Sequence, residues 1–298
     1  MIIVKIMGGL GNQLFQYAYA RALKEAGKNV FLDYTTFLNY DMPNPLVTKR
    51  EYALDAFNIT IPCLTPEYER VLDVLQCRTG NNSKRFLYKI IRKLYWITGQ
   101  WKLFDSCDCS IFSEKCLDIP DSKYSYVSGY FQSEKYFSHI HNILMEELQL
   151  KEGTPETGDD LCNDPRVETV SVHVRRGDYV TAGDSLKTEY YQRAFMHIES
   201  KLHNIEYCIF SDDLAYCEAN LDLKDRRYRL MNPDRKYADY EELFIMAKCR
   251  HHIIANSSFS WWGAWLCRNP NQIVIAPAKW QVGEAILWDI VPSLWIKA

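Results

Sequence analysis

Several features are missing from this 298-residue sequence, and each absence argues against a class of protein. No apolar run is long enough to span a bilayer, which argues against an integral membrane protein. Lysine and arginine total 35 against 38 aspartate and glutamate, and a net charge of −3 argues against nucleic acid as the main partner. The opening stretch MIIVKIMGGLGNQ turns polar too soon for a secretory signal, so we expect a first strand there and a cytoplasmic protein.

Common nucleotide and metal signatures are absent as well. The P-loop pattern G-x-x-x-x-G-K-[ST] does not occur, and the glycine turn at Gly8 to Gly11 does not match G-x-G-x-x-G. Asp212 and Asp213 are adjacent instead of spaced as D-x-D, which weakens the case for a metal–nucleotide site. One of the two could instead accept hydrogen bonds from a guanine edge. We expect no metal and no cofactor.

The ten cysteines are scattered and contain no C-x-x-C pair. Cys107, Cys109 and Cys116 lie close in sequence but have no histidine near them, which makes a zinc site a poor interpretation. Without a secretory signal, we expect free thiols in a reducing compartment. Three cysteines lie in apolar patterns and are expected to be buried: Cys208, Cys249 and Cys267.

Alternating strand and helix patterns predict an α/β protein. The chain opens with the apolar run IIVKIM, a glycine turn, a helix ending near Gly27 and the strand NVFLDY, which is a βαβ unit with parallel strands. Loops with short helices are predicted for residues 39–80, a basic aromatic helix for 83–104, and a linker for the polar stretch 151–166. A second Rossmann-like half follows, with strands ETVSVHV, YCIFSDD, HHIIAN and QIVIAP. We therefore expect domains at 1–155 and 165–298.

Polar residues follow four of these strands, at positions 8–13, 173–178, 211–213 and 256–258, and open parallel sheets bind ligands at such carboxyl ends. In VSVHVRRGDY, residues 170–179, His173 and Arg175 lie on one face of the strand, and arginine suits bidentate phosphate contact. Asp178 can brace an arginine. Two interpretations stay open here: an anion site, or an Arg–Asp pair that closes a turn. Ser257 or Ser258 can cap the helix that follows the strand HHIIAN. The N-terminus of that helix either binds an anion or is an ordinary capped end.

Four segments together resemble the bacterial α-1,2-fucosyltransferases of glycosyltransferase family 11. They are GGLGNQLFQYAYARAL (8–23), HVRRGDY (173–179), FSDD (210–213) and NSSFSWWGAWL (256–266). The resemblance implies a GT-B type fold with two Rossmann-like domains, whose parallel sheets face an interdomain cleft. It implies an acceptor-side N-terminal domain and a C-terminal domain that binds GDP-β-L-fucose.

The resemblance also implies the reaction, which is inverting, metal-independent transfer of fucose to the 2-hydroxyl of a terminal galactose. The acceptor would be a galactose-terminated oligosaccharide or a lipid-linked glycan. Arg175 is the implied diphosphate ligand, and His173 and Asp178 are the candidate bases. The expected donor contacts are Gly9, Gly11, Asn12, Arg175, Arg176, Ser211, Asp212, Asp213, Asn256, Ser257, Ser258 and Phe259.

Two rival functions are compatible with the same residues. One is transfer of fucose or another GDP-linked sugar to a different acceptor hydroxyl. The other is a non-catalytic glycan-binding module, which would not hydrolyse GDP-fucose when no acceptor is present.

The basic helix candidate at residues 84–95 has two open interpretations. Lys84, Arg85, Lys89, Arg92 and Lys93 supply positive charge, and the apolar residues of the same segment recur at helical spacing. The segment is either a surface helix packed on its own domain with a solvated basic face, or a peripheral contact with the inner membrane.

Overall fold

The computed structural model describes residues 1–38, 50–76, 81–105, 111–119, 122–161, 163–281 and 289–298. The chain divides into two compact units. The first contains Met1–Asp55 and Ile59–Glu147, and the second contains Ala56–Asn58 and Leu148–Ala298.

The first unit is built on a four-stranded parallel sheet with strand order β2-β1-β4-β3. Its strands and helices are β1 (Ile2–Lys5), α1 (Leu10–Glu25), β2 (Val30–Asp33), α2 (Pro66–Gln76), α3 (Asn82–Ile97), β3 (Trp101–Asp105), β4 (Tyr124–Ser128) and α4 (His141–Glu147). The pairing of Ile2 with Val30 confirms the predicted parallel βαβ start.

The second unit contains a six-stranded parallel sheet with strand order β10-β9-β8-β5-β6-β7. Its strands are β5 (Glu168–Val174), β6 (Ile205–Ser211), β7 (Tyr228–Leu230), β8 (His251–Ile253), β9 (Val274–Ala276) and β10 (Ile296–Lys297). Its helices are α5 (Glu156–Asp160), α6 (Gly177–Ala182), α7 (Thr188–Glu199), α8 (Leu214–Asn220), α9 (Asp239–Lys248) and α10 (Ser258–Trp265).

The core of the second unit explains why its strands are nearly continuous apolar runs. Helices cover both faces of a parallel sheet, so a central strand such as β5 is buried along almost its whole length. Val170 and Val172 are fully buried, and burial of each valine contributes about 1.5–3 kcal/mol. Trp261 and Trp262 on α10 are also fully buried, so both indoles belong to the core.

Two predicted segments differ in the structure. The predicted helix at 83–104 ends at Ile97, because Gly99 adopts a left-handed conformation (φ 69°) and Trp101 begins a strand that pairs with Tyr124 of β4. The predicted linker at 151–166 contains α5, which packs against α9, and the Thr157 hydroxyl hydrogen-bonds the Tyr237 hydroxyl at 2.5 Å. That polar stretch therefore belongs to the second unit.

Cysteine placement follows the sequence prediction where the structure describes it. Cys208, Cys249 and Cys267 are buried free thiols. Cys116 is a half-buried free thiol, whereas Cys107 and Cys109 lie outside the described residues. Within the described part of the chain, no group of three or more His, Cys, Asp or Glu side chains is placed to hold a metal ion.

Candidate active site

The candidate site lies at the carboxyl edge of the second unit's sheet. Strand β5 is hydrogen-bonded to β6 on one side and to β8 on the other. The register pairs Val174 with Ser211, so the residues that follow β5 and β6 leave the sheet side by side. Three of the four polar strand ends predicted from the sequence are thereby neighbours: residues 173–178, 211–213 and 256–258.

Arg175 is held between two carboxylates. Its Nη2 donates to Asp178 Oδ1 at 2.7 Å, and its Nη1 lies 3.1 Å from Asp212 Oδ2. The guanidinium also lies 5.6 Å from the centre of the Tyr179 ring. About 25% of the side chain remains exposed, and at most two of its five N–H donors are directed at these carboxylates. The arginine is therefore oriented by its own chain and can still donate to an anion.

Arg176 occupies a different environment from Arg175. Its backbone N–H donates to Asp212 Oδ1 at 2.8 Å, and its guanidinium lies 3.6 Å from the centre of the Tyr216 ring. Its Nη1 donates weakly to Ser185 Oγ at 3.4 Å, and Asp213 Oδ2 lies 4.0 Å from its Nε. Stacking on an aromatic face fixes the plane of a guanidinium at little entropic cost. Arg176 thus presents a second positive charge in a defined orientation.

The two adjacent aspartates have separate structural tasks. Asp212 joins both arginine residues, through the Arg175 side chain and the Arg176 backbone. Asp213 is the N-cap of α8, where its Oδ1 accepts from the Tyr216 N–H at 3.0 Å. Ser211 fixes the start of the turn that contains both aspartates. Its hydroxyl donates to the Val174 carbonyl and accepts from the Asp213 N–H. About 45% of the Asp213 side chain is exposed, which leaves room for a further hydrogen bond.

Gly177 allows Asp212 to come this close. A β-carbon at Gly177 would lie 2.6 Å from Asp212 Oδ2, a separation that real side chains do not tolerate. Gly177 is the first residue of α6. Its lack of a side chain makes room for the carboxylate that orients Arg175.

Helix α10 begins beside this cluster with a capped N-terminus. Ser257 is the N-cap, and its hydroxyl accepts from the Phe259 N–H at 3.4 Å. Ser258 is the first helical residue and is half-buried. The Asn256 amide donates to the Asp184 and Trp280 carbonyls at 2.9 and 3.0 Å. Asn256 therefore fastens two loops, a role that the sequence pattern did not reveal.

His173 lies beneath the site instead of opening onto it. The residue is 5% exposed, and its ring centre is 5.6 Å from that of Phe259. The Nδ1 atom is buried and has no hydrogen-bond partner among the described residues. Burial, and then the charge of Arg175, lower the pKa of His173 to about 3. The imidazole is therefore neutral at physiological pH and is a weak base.

Two buried histidines predict acid destabilisation. Burial lowers the pKa of His252 to about 3 as well, and its Nδ1 lies 2.8 Å from Ser171 Oγ. In the unfolded chain both groups titrate near pH 6.5, so the unfolded state binds more protons between pH 6.5 and 3. The free energy of unfolding should fall as pH falls through this window, by up to about 1.4 kcal/mol per pH unit for each histidine.

Urea unfolding at several pH values between about 4 and 7, which covers most of the window between the folded and unfolded pKa values of these histidines, would measure this slope. The variant His252→Asn keeps an acceptor near Ser171 but removes one titrating group, so its stability should depend less steeply on pH than the wild type's. Equal slopes for the two proteins would contradict the assignment.

The fourth polar strand end belongs to the first unit and is a glycine turn fastened by three amides. Gly8 adopts φ 82°, Gly9 is the N-cap of α1 and Gly11 lies within that helix. Asn12 Oδ1 accepts from Gln132 Nε2 at 2.8 Å. The other two amides belong to Gln13, which contacts Gly8, Glu51 and Ala53, and to Gln16, which contacts Met7 and Gly129.

Both glutamines are fully buried, and sequence reasoning missed them because only their burial distinguishes them from surface amides. Asn12 stays a predicted donor contact.

Comparison with known proteins gives consistent results at three levels. The family model described as "Glycosyl transferase family 11" matches residues 1–287. Among curated relatives, the O-antigen biosynthesis glycosyltransferase WbnK of Escherichia coli is 29% identical over 94% of this chain and 94% of its own. An α-1,2-colitosyltransferase of Escherichia coli is 29% identical over 100% of this chain and 98% of its own.

More distant similarities extend to animal enzymes and to a solved structure. Human galactoside α-(1,2)-fucosyltransferase 1 is 21% identical over 87% of this chain and 63% of its own. The structure of NodZ α-1,6-fucosyltransferase co-crystallised with GDP aligns with a TM-score of 0.50 at 13% identity, covering 92% of this chain and 94% of that one. This likeness confirms the GT-B type α/β fold with parallel sheets that the sequence predicts.

Proposed function

Because the chain belongs to glycosyltransferase family 11 and is a glycosyltransferase, we propose that it transfers L-fucose from GDP-β-L-fucose to the 2-hydroxyl of a terminal galactose, with inversion. The observation that carries the proposal is the oriented pair Arg175 and Arg176 at the carboxyl edge of the second sheet, next to the capped start of α10. The names of the relatives, α-1,2-colitosyltransferase and galactoside α-1,2-fucosyltransferase, support the linkage.

The geometry suits stabilisation of a leaving diphosphate. As the bond between fucose and the β-phosphate breaks, negative charge grows on the departing GDP. Arg175 would meet this charge with its remaining N–H donors, and the first backbone N–H groups of α10 would add the positive end of the helix dipole. Donors fixed in advance need no reorganisation during the reaction, and each is typically worth about 3 kcal/mol of barrier.

Asp178 is best assigned to positioning. Its carboxylate accepts from Arg175 at 2.7 Å and so fixes the arginine, while Asp212 holds the other side of the guanidinium. His173, with a pKa of about 3, is too weakly basic to draw a proton strongly from the acceptor hydroxyl. The proposed reaction therefore depends on the departure of GDP through an oxocarbenium-like transition state, in which the acceptor needs little deprotonation before attack.

The reaction is proposed to need no divalent metal, and the chelator EDTA tests this directly. Asp212 already binds Arg175 and the Arg176 N–H, and one oxygen of Asp213 caps α8. Binding of Mg²⁺ to this pair would require breaking contacts that orient the arginines. The rate of transfer in EDTA should equal that in buffer with MgCl₂ or MnCl₂. A strict metal requirement would turn the aspartate pair into a metal site and undo the proposed role of Arg175.

A second donor sugar has specific support. The colitosyltransferase relative is similar along the whole chain, and colitose differs from fucose by lacking the 3-hydroxyl group. A site that hydrogen-bonds a substrate hydroxyl rejects the deoxy analogue strongly, by about 10⁴-fold or more, whereas an apolar pocket accepts it. The ratio of kcat/KM for GDP-fucose to kcat/KM for GDP-colitose therefore distinguishes a fucosyltransferase from a colitosyltransferase.

The experiment that tests the proposal is a donor panel. GDP-fucose, GDP-colitose, GDP-mannose and UDP-galactose are each incubated with galactose-terminated oligosaccharides, and released nucleotide and new glycan are both measured. The proposal predicts transfer from GDP-fucose at the highest kcat/KM. Preference for GDP-colitose would favour the second candidate, and preference for a UDP-sugar would contradict both.

A further inference from the structure

Helix α3 packs on the first unit through an unexpected face. None of its sixteen residues is buried. Its half-buried positions include Tyr88, Ile91 and Tyr95, and Tyr95 packs against the apolar cluster between α2 and the sheet. An ordinary amphipathic surface helix turns its aliphatic stripe inward and leaves its charges in water. In α3 the inward face consists of two tyrosines and one isoleucine. Most of the aliphatic residues of the helix therefore lie on another face.

That aliphatic stripe faces solvent. The exposed apolar residues of α3 are Phe86, Leu87, Ile90, Leu94, Trp96 and Ile97. At 100° per residue, all of these except Trp96 fall within one arc of about 100°, on the side of the helix away from its packed face. The exposed fractions reach 66% for Phe86 and 69% for Ile97. A contiguous apolar face of this kind on one helix marks a contact surface.

A basic cavity adjoins this face. The cavity has a volume of about 770 Å³ and lies between α2, α3 and the sheet of the first unit. Its cationic lining residues are Lys5, Lys89, Arg92 and Lys93, and Trp96, Trp101 and Leu103 contribute apolar wall. Lys89, Arg92 and Lys93 occupy the helical arc between the packed face and the exposed aliphatic face.

The described part of the chain does not neutralise the charges in the cavity. Among its described lining residues there is no carboxylate, and none of the four cations forms an ion pair with a described residue. Gln76 also lines the cavity, and its buried Nε2 has no hydrogen-bond partner among the described residues. This concentration of cations occurs in a chain whose net charge is −3, so it is a local property of this surface.

We propose that α3 and this cavity dock the protein on an anionic phospholipid bilayer. The aliphatic face of α3 enters the interface between headgroups and acyl chains, and the four cations of the cavity receive phosphate oxygens of the headgroups. Apolar burial and electrostatic attraction then act together, as they do in interfacial amphipathic helices. The described residues include no helix long and apolar enough to cross a membrane.

Charge complementarity favours a bilayer over a second copy of this chain. A symmetric pairing of two α3 helices would bring two sets of unpaired cations close together, and burying like charges is unfavourable. A bilayer instead supplies an apolar layer next to a dense array of phosphates. The docking surface belongs to the first unit and the arginine cluster to the second, and the vesicle test does not depend on the donor sugar.

Vesicle co-sedimentation with the full-length protein tests the proposal. Two vesicle types are compared, phosphatidylcholine alone and phosphatidylcholine with phosphatidylglycerol, and the anionic mixture is measured at low and at high salt. Wild type should bind the anionic vesicles and leave the neutral ones largely unbound. Binding should weaken when ionic strength rises from about 0.1 M to about 1 M, since the Debye length shortens from about 10 Å to about 3 Å.

Two variants separate the electrostatic and apolar contributions. Reversal of Lys89, Arg92 and Lys93 to glutamate should weaken the partition coefficient by about a hundred-fold or more, because each cation near the surface contributes about five-fold. The double variant Leu87→Ser, Leu94→Ser should have a lower partition coefficient than wild type, and its binding should still depend on salt.

Matched controls are the exposed triple Arg193, Lys201 and Lys224 to glutamate, and Met196→Ser. These controls should bind as wild type does, and circular dichroism and thermal melting confirm that every variant is folded. Wild type that ignores anionic vesicles at low salt would overturn the proposal, as would equal losses in the α3 triple and the control triple. Sedimentation of wild type without vesicles would identify self-association through this face instead.

Discussion

Replacing Arg175 by alanine is expected to lower kcat by about 10²- to 10³-fold while the protein stays folded. The side chain is partly exposed and lies at a strand end, so its loss removes little packing. In the proposed reaction its remaining donors meet the charge that grows on the leaving diphosphate, and such a donor is worth about 3 kcal/mol of barrier. Arg175→Lys should lower kcat by a similar factor, because a lysine offers three donors from one atom and lacks the planar fork that reaches Asp178 and Asp212 on one side and a phosphate on the other.

Steady-state kinetics with GDP-fucose at saturating acceptor would measure this effect, and thermal unfolding would confirm the fold. Arg166→Ala is the matched control, because Arg166 is a highly exposed arginine of the same unit that pairs with Asp164. That variant should transfer sugar at the wild-type rate. A kcat in Arg175→Lys close to wild type would remove Arg175 from the proposed diphosphate site.

Adding a single methyl group at Gly177 is expected to lower kcat by about 10- to 100-fold. The new β-carbon would lie 2.6 Å from Asp212 Oδ2, so the carboxylate must move. Its displacement breaks the contacts to the Arg175 guanidinium and the Arg176 N–H together. Hydrogen bonds to charged groups are worth about 1.5–3 kcal/mol, which sets the size of the effect. Gly177→Ala changes no charged group, so lost activity would report the position of Asp212.

Gly153→Ala is the control for this prediction. Gly153 lies in the same unit with φ 82°, and nothing lies within 4 Å of its added β-carbon. The control should reduce stability through backbone strain, by about 1–2 kcal/mol, and leave kcat unchanged. Gly177→Ala should show the reverse pattern, with a large change in kcat and a small change in melting temperature. Wild-type kcat in Gly177→Ala would mean that the placement of Asp212 does not matter for transfer.

The fold was predictable from sequence where local patterns and long-range packing agree. Strands such as β5 are buried on both faces, so they appear as apolar runs bounded by turns. Strand β3 escaped prediction because its residues continue the basic, aromatic composition of α3, and only Gly99 marks the end of the helix. Strands β7 and β10 have three and two residues, and at that length pairing with a neighbouring strand decides the conformation.

The candidate site was predictable to the level of strand ends and not of individual contacts. Sequence reasoning identified Arg175 and suggested Asp178 as its brace, since both lie in one turn. The second brace, Asp212, follows a different strand, and the pairing of β5 with β6 brings it into contact. The Asn256 amide nitrogen fastens two loops, which the sequence did not reveal, while its expected contact with the donor stays a prediction. A polar residue at a strand end has the same pattern in either role.

The orientation of α3 was also not predictable from the sequence. Helical periodicity predicts that the segment is amphipathic, but it does not tell which face turns inward. The structure places Tyr95 against the unit and leaves Leu87 and Leu94 in solvent. The proposed membrane contact rests on this orientation, and the vesicle experiment decides between the two interpretations that the sequence left open.

The linkage in the product is the sharpest test of the proposed fucosyl transfer. The protein is incubated with GDP-β-L-fucose and a galactose-terminated oligosaccharide, and the purified product is analysed by two-dimensional NMR. The expected product carries a new α-configured fucose whose anomeric proton correlates with C2 of the terminal galactose. A β-linked product, or fucose attached at any other position, would contradict the proposed transfer.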